Sequence, residues 1–268
     1  MKRLAASLLI ALALAAVAGE FLVPARYDQQ FREETDALPG AKHFLGTDEL
    51  GRDRASRLLA GARVSLLLAP AASVLAIALA AVLGLSAGWF GGWWDRGVSM
   101  LIDLMISVPI FLVLITARAV LPLNVSPISS VMITFLLLGL LGWAGSARVI
   151  RGACQTHLNS DYVLRALAAG CSRTRVLFVH LLPNLWPVLR TQFILAVPGF
   201  ILDEANLSLL GLGVAEPLPS LGSLLKELTH LPSSTNSMGS WVGLAAPAVL
   251  LAATVCACEF LLPPKEGS

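Results

Sequence analysis

Charge is what this sequence has least of. Asp, Glu, Lys and Arg together make up 13% of its 268 residues, where a soluble globular chain carries about 25%. Hydrophobic residues make up 56%, and the mean hydropathy is +0.77. A single water-bounded core cannot hide that much apolar side chain, so the composition implies a membrane protein. The net charge of +2 is small and comes with no aromatic-and-basic stripe, so no nucleic-acid partner is expected. Cysteine is also scarce. Cys154, Cys171, Cys256 and Cys258 form no CxxC pair, which leaves them as small buried or reduced side chains. His43, His157, His180 and His230 are scattered, so spacing supports no metal site. The sequence holds no GxxxxGK[ST], so the chain has no P-loop with which to hold ATP itself. HExxH is missing too, and the adjacent Asp203 and Glu204 would point in different directions on a helix. The expectation is a protein that is not an enzyme and needs no cofactor. No 20–50-residue repeat is evident, which disfavours a secondary carrier built from inverted halves.

What the chain does have is long apolar runs. A helix needs about 20 mostly apolar residues to cross the hydrocarbon core, and six stretches qualify: Leu4–Val23, Ser65–Trp89, Ser99–Leu121, Ser129–Ala147, Trp186–Leu210 and Ser240–Leu262. The fold class expected is therefore an all-α membrane protein with about six transmembrane helices. The first stretch, with its basic start and small-residue ending, also looks like a secretory signal peptide. Retention is the expectation, because the rest of the chain is itself polytopic. Six retained spans place both termini on one side, and Lys2 and Arg3 make that side cytoplasmic. The segment 148–185 is then cytoplasmic, with Arg148, Arg151, Arg165, Arg173 and Arg175 against one acid, Asp161. The external segment 24–63 carries seven basic and seven acidic residues, so the weight of the argument rests on the short loops and the extreme N-terminus.

Charges inside spans are costly and usually face a protein interior or a cavity. Asp103, Arg118, Asp203 and Glu204 are the candidates. Asp103 sits near the cytoplasmic end of its span. Asp203 and Glu204 sit near the outer end of theirs, where interfacial water or connector arginines would accommodate them. Pro109 and Pro198 can kink their helices, although membrane helices often tolerate proline. Gly84, Gly88, Gly139, Gly142 and Gly145 allow close helix approach within the chain or against a second subunit. Gly88–Gly97, "GWFGGWWDRG", has three Trp in six residues and fits an interfacial aromatic belt.

The stretch from Ser160 to Asn184, "SDYVLRALAAGCSRTRVLFVHLLPN", is of a different kind. Asp161–Ala169 are good helix formers. Gly170 can take a positive φ and end that helix. Arg173–Leu182 reads as a second short helix, with Pro183 limiting its continuation. Two short helices at an angle beside the bilayer make a knob, which on spacing alone is equally a solvated connecting loop.

Tyr162–Val163, Ala166, Gly170, His180 and Leu182–Pro183–Asn184, in that order, resemble the cytoplasmic coupling loop of ABC importer permeases. Three further blocks extend the resemblance: His43–Leu66 with its Gly-Thr-Asp-x-x-Gly-Arg-Asp run at 46–53, Asp103–Leu114, and Ile201–Leu225. Together they cover most of residues 43–225 and are similar to the second permease of oligopeptide, dipeptide and nickel uptake systems. Two positions depart from the family's Glu-Ala-Ala pattern. Leu164 stands where the family has Glu, and Arg165 where it has the first Ala.

The resemblance implies an ABC importer permease-like fold in the bacterial cytoplasmic (inner) membrane. Residues 1–23 form a first span, 24–63 an external connector, 64–262 a five-helix core with the coupling loop at 148–185, and 263–268 a short tail. It implies a permease that makes half of a pathway for short peptides or a related solute such as a nickel complex. The partners implied are a second permease in a heterodimer, two cytoplasmic ATP-binding subunits or domains, an external solute-binding protein and membrane lipid. The ATPase-coupling residues would be Asp161, Tyr162, Ala166, Gly170, Arg173, His180, Pro183 and Asn184. Pathway or gate residues would be Asp103, Pro109 and Glu204. The "LLGLGVAEPLPSLG" segment after the fifth span would lie at the outer gate. Alternatives are a degenerate structural subunit or an ion-coupled carrier.

Overall fold

The computed structural model describes residues 2–23, 25–120, 126–214, 216–227 and 238–262. The tail 263–268, His230 and the end of the third apolar stretch at Leu121 lie outside them. The described residues form helices and connecting segments, with isolated bridges pairing Gln30 with Arg52 and Thr47 with Asp53. The helices are α1 (Lys2–Leu22), α2 (Arg54–Phe90), α3 (Gly92–Ser107), α4 (Ile110–Val120), α5 (Pro127–Leu141) and α6 (Ala144–Leu158). They continue with α7 (Asp161–Ala168), α8 (Arg173–Arg175), a π-helical stretch (Val176–Leu181), α9 (Leu182–Leu209), α10 (Leu221–Lys226) and α11 (Met238–Leu261).

Four helical units are long and apolar enough to cross a membrane: Arg54–Phe90, Pro127–Leu158, Arg173–Leu209 and Trp241–Leu261. The pair α3–α4 makes a fifth if counted as one span bent by 78°. The 21-residue α1 has a shorter apolar part, ending at Gly19 ahead of Glu20, and packs on α2 and α11. Large apolar side chains such as Val74, Val82, Met100, Leu112, Met132, Leu195 and Leu202 point outward. So large an apolar surface is tolerable only where lipid or another subunit covers it.

The centre of the bundle is α2, which packs against α1, α3, α5, α6, α9 and α10. Its buried stripe is Ala69, Ala72, Ala76, Ala80, Gly84, Ala87 and Gly88, small residues three or four apart. With no hydrophobic drive between helices in lipid, close backbone approach provides the contact. A Cβ on Gly84 would stand 2.7 Å from the Ala147 carbonyl oxygen, and one on Gly88 2.8 Å from Cys154 Cβ. Gly139 lies equally close to Ala72, and Gly142 to the Phe200 ring. Gly145 has no neighbour within 4 Å. The ends are capped conventionally: Asp53 accepts from the Ser56 N–H at 2.8 Å to start α2, and Ser126 caps α5 with Pro127 in the first turn.

Two expectations are corrected. The third span is not one helix: it breaks at 108–109, where Pro109 cannot donate and its predecessor leaves helical φ/ψ (Val108 φ −86, ψ 124). Pro183, by contrast, ends nothing. The helix from Arg173 runs unbroken to Leu209. The wider π turn at 176–181 precedes Pro183, which falls in the first turn of the following α-helix, where an N–H is not needed. The expected second short helix is therefore the beginning of the fifth span.

Candidate functional site

Three clusters of candidate residues are distributed over the two ends of the bundle and the seam between α3 and α6. At the first end α6 is followed by α7, which is held by one fully buried side chain, Val163. Beneath it lie Val176, Leu181, Leu185 and Cys154, all buried. The C-terminus of α7 is closed by a Schellman motif. The Cys171 N–H donates to the Ala166 carbonyl at 3.1 Å and the Gly170 N–H to the Leu167 carbonyl at 3.0 Å. Gly170 has φ +82, which L-residues rarely adopt. Ala166 and Gly170 thus serve one backbone turn.

Gly170→Ala meets no neighbouring atom, so its cost is conformational alone, about 1 kcal/mol. Amide hydrogen exchange is expected to speed up over 166–171, with the rest of the bundle unchanged; unaltered exchange at those amides would refute the role given to this turn.

The other residues expected here divide into supporting and displayed groups. Tyr162 shares a hydrogen bond with His157 Nδ1 at 3.1 Å, and Asn184 donates to the His180 carbonyl at 2.6 Å. Asp161 and Arg165 form an exposed pair at 4.0 Å. Arg173 and Pro183 are exposed. The displayed surface also carries Leu164, Leu167, Phe178 and Val179. It is basic and apolar, with the departure at Leu164 facing outward.

Starting at this same end, α3 and α6 are joined by two ion pairs. Arg151 binds Asp95 through both oxygens, with one contact at 2.7 Å, and Gln155 donates to Asp95 at 3.3 Å. Two turns along α3, Asp103 pairs with Arg148, and both side chains are exposed. Arg118 ties α4 to the segment after α9, donating to the Leu212 and Gly213 carbonyls at 2.9 and 3.0 Å and to Ser130.

At the opposite end the connector folds over α2. Within the run at 46–53, Asp48 accepts from the Leu50 and Arg52 N–H groups and from Arg52 Nε. Thr47 accepts from the Ala37 N–H and donates to the Glu34 carbonyl. Gly51 has φ +71, and a Cβ there would stand 2.2 Å from the Phe31 carbonyl oxygen. His43 bridges Asp53 and Glu34 at 2.9 Å each. Hydrogen bonds from Lys42 and His43 hold the Glu34 carboxyl below its ordinary pKa.

Long-range pairs then fasten this run to the segment after α9. Arg52 reaches Glu216 at 2.6 Å, and Arg57 reaches Glu227 at 2.8 Å, Asp48 at 3.3 Å and Glu216 at 3.4 Å. Burial pushes the Glu227 carboxyl up, opposed by the charge on Arg57. A cavity of about 330 Å³ opens beside this network, lined by Asp48, Arg52, Arg54, Glu216, Lys226 and Glu227 among others.

Glu204 differs from expectation. It is neither at a wet interface nor paired with the connector's arginines. It is wholly buried between α9 and α10, where Ser208 and Ser220 donate to it at 2.7 Å each. The adjacent Asp203 is half-exposed, so the two carboxylates do diverge. The Arg57 network escaped the sequence reading because its members lie far apart in the chain. Three arginines within six residues of the connector were the available signal.

Comparison with known proteins gives this geometry a family. Residues 80–262 match the family described as binding-protein-dependent transport system inner membrane component. The chain is 33% identical over 236 residues to the oligopeptide transport system permease protein OppC of Mycobacterium tuberculosis, spanning 88% of this chain and 78% of that one. It is 33% identical over 254 residues to the dipeptide transport system permease protein DppC of Bacillus subtilis, spanning 95% and 76%. With OppC of Bacillus subtilis the figures are 35% over 213 residues, 77% and 68%. The chain therefore belongs to the binding-protein-dependent transport system inner membrane components, as a multi-pass permease subunit of an ABC importer.

Proposed function

We propose that this permease forms half of a pathway that carries short peptides inward, working with a second permease, two cytoplasmic ATP-binding subunits or domains and an external binding protein. ATP hydrolysis belongs to the separate subunits. The observation that carries the reading is the loop end of the molecule. A short helix, closed by a Schellman turn and anchored by Val163, projects from the bundle and runs within a few residues into the 37-residue helix Arg173–Leu209. A rigid projection of this kind can pass a rotation of its partner into the spans. The relatives' names supply the cargo class.

Lys2, Arg3 and the loop arginines put the N-terminus and this projection in the cytoplasm. Asp161, Tyr162, Ala166, Gly170, Arg173, His180, Pro183 and Asn184 build or support the surface that the ATPase grips. Leu164 and Arg165 alter its chemistry: where the family pattern has an acid, this surface offers an apolar side chain, and its seat on the partner is correspondingly apolar. The exposed Asp103–Arg148 pair on the seam between α3 and α6 belongs against a water-filled cavity or the second permease, since lipid would not accommodate it. Pro109 marks the break beside that pair, and Glu204 the outer gate.

The test is a disulfide. With Cys154, Cys171, Cys256 and Cys258 replaced, one cysteine is placed at Arg173 and one in the ATPase cleft. Cross-linking is then compared with and without a trapped ATP state. A nucleotide-dependent cross-link is expected. With both thiols reactive and the partner present, no cross-link in either state would remove this loop from the coupling role and favour a structural subunit.

A further inference from the structure

Glu204 has no exposed surface, although it sits in an apolar helix. Its Oε1 accepts two hydroxyls at 2.7 Å, one from Ser208 a turn further along α9 and one from Ser220, the N-cap of α10. Its Oε2 is buried against Gly222. The joint has no slack. A Cβ on Gly222 would come within 2.5 Å of Ala205 Cα and 2.8 Å of Glu204 Oε2. A Cβ on Gly213 would come within 2.5 Å of Ser208 Cα.

On its other side α10 is tied to α2 and the connector. The Leu221 N–H donates to Ser65 Oγ at 3.2 Å, and Glu227, just past the helix, binds Arg57. Apolar side chains of matching shape could glue two helices together without burying a carboxylate. What a buried, hydrogen-bonded carboxylate adds is a single fixed orientation. Here it fixes α10 to the far end of a helix about 55 Å long whose other end is the projecting loop.

We infer that Glu204 is the positioning residue that makes α10 move with α9, so that displacement of the loop end reaches the connector end of the permease. The inference rests on the permease reading above. Without the carboxylate the loop still responds to the ATPase, but α10 no longer follows, and hydrolysis is separated from transport.

The experiment uses the complete transporter, purified with its own partner subunits and binding protein and reconstituted in phosphatidylethanolamine–phosphatidylglycerol liposomes. ATP hydrolysis and uptake of a labelled tripeptide are measured together. Glu204→Ala is expected to keep hydrolysis within about twofold while uptake per ATP falls about tenfold or more, because both hydrogen bonds to the buried carboxyl group are lost. Ser220→Ala, which deletes one donor together with the N-cap of α10 and keeps Glu204 itself, is expected to lower uptake per ATP about fivefold. Glu204→Gln still accepts both hydroxyls and should recover most of the uptake.

Hydrolysis and uptake falling in parallel in Ser220→Ala and Glu204→Ala, or neither changing, overturns the inference. If Glu204→Ala does not assemble, Ser220→Ala decides by the same criterion. Failure of the permease reading would show differently: the wild-type complex would itself neither hydrolyse ATP nor take up tripeptide, and the inference would fall with it.

Discussion

Arg57→Met is expected to lower the thermal unfolding midpoint of the purified protein sharply and to open the connector to protease. Arg57 is 1% exposed and is the cation shared by Asp48, Glu216 and Glu227. Met fills most of the same volume, so the change isolates the charge. Removing the cation leaves the largely buried Glu227 without its partner, and breaking a buried pair in this way costs about 3 kcal/mol. That is a large part of the 5–15 kcal/mol that holds a typical fold. Arg52 would remain as the cation facing Asp48 and Glu216, and Glu227 would lose its 2.8 Å partner. The exposed pair Arg26–Asp28 provides the contrast: Arg26→Met should change stability by about 0.5 kcal/mol or less. Equal midpoints for the two variants would show that the Arg57 cluster is no better than a surface pair.

The second large effect is expected at Gly84. The atoms a new side chain would meet there are the Ala147 carbonyl oxygen at 2.7 Å, the Arg151 nitrogen at 3.2 Å and Ile150 Cβ at 3.3 Å. Two of the three are backbone and cannot rotate away, so Gly84→Leu must push α6 off α2. Overpacking of this kind costs about 3 kcal/mol or more, and it acts on a contact at the centre of the bundle. The expected result is loss of monodisperse protein on size-exclusion chromatography in detergent. Gly145→Leu, with open space around it, should purify as wild type. Normal behaviour of Gly84→Leu would mean that α2 and α6 are not packed as described.

These two positions also show what the sequence could and could not convey. The Gly84 contact was legible, because a stripe of small residues at helical spacing is a local pattern with a local meaning. The same holds for the apolar runs and for Gly170 as a helix stop. Arg57 was not legible as a structural residue, because its partners Glu216 and Glu227 lie 159 and 170 positions away. Glu204 failed in another way. Its place near a span end suggested water, but the turn after α9 brings Ser220 back onto it.

The prolines divide for a physical reason. Pro198 is buried and Pro109 exposed. The helix around the first runs on unbroken from Arg173 to Leu209, whereas the chain bends by 78° at the second. A π turn ahead of Pro183 has no signature in composition or periodicity. Of the candidate pathway residues, Asp103 emerged as half of an ion pair because Arg148 lies 45 positions on, on a helix whose register sequence alone does not fix.

The connector's arginines have a consequence for the order in which the protein is made. Arg52 and Arg57 emerge from the ribosome 164 and 170 residues ahead of Glu216 and Glu227, respectively. At about 5–20 residues per second, Arg57 waits roughly 10–30 s for the acid that will hold it, with Asp48 as its nearest company. Until α9 has inserted and α10 has turned back, the connector has only its own residues and α2 to pack against. The tie between the connector and the segment after α9 is therefore a late product of synthesis, and a chain halted before α10 would carry its first two hundred residues with that tie still open.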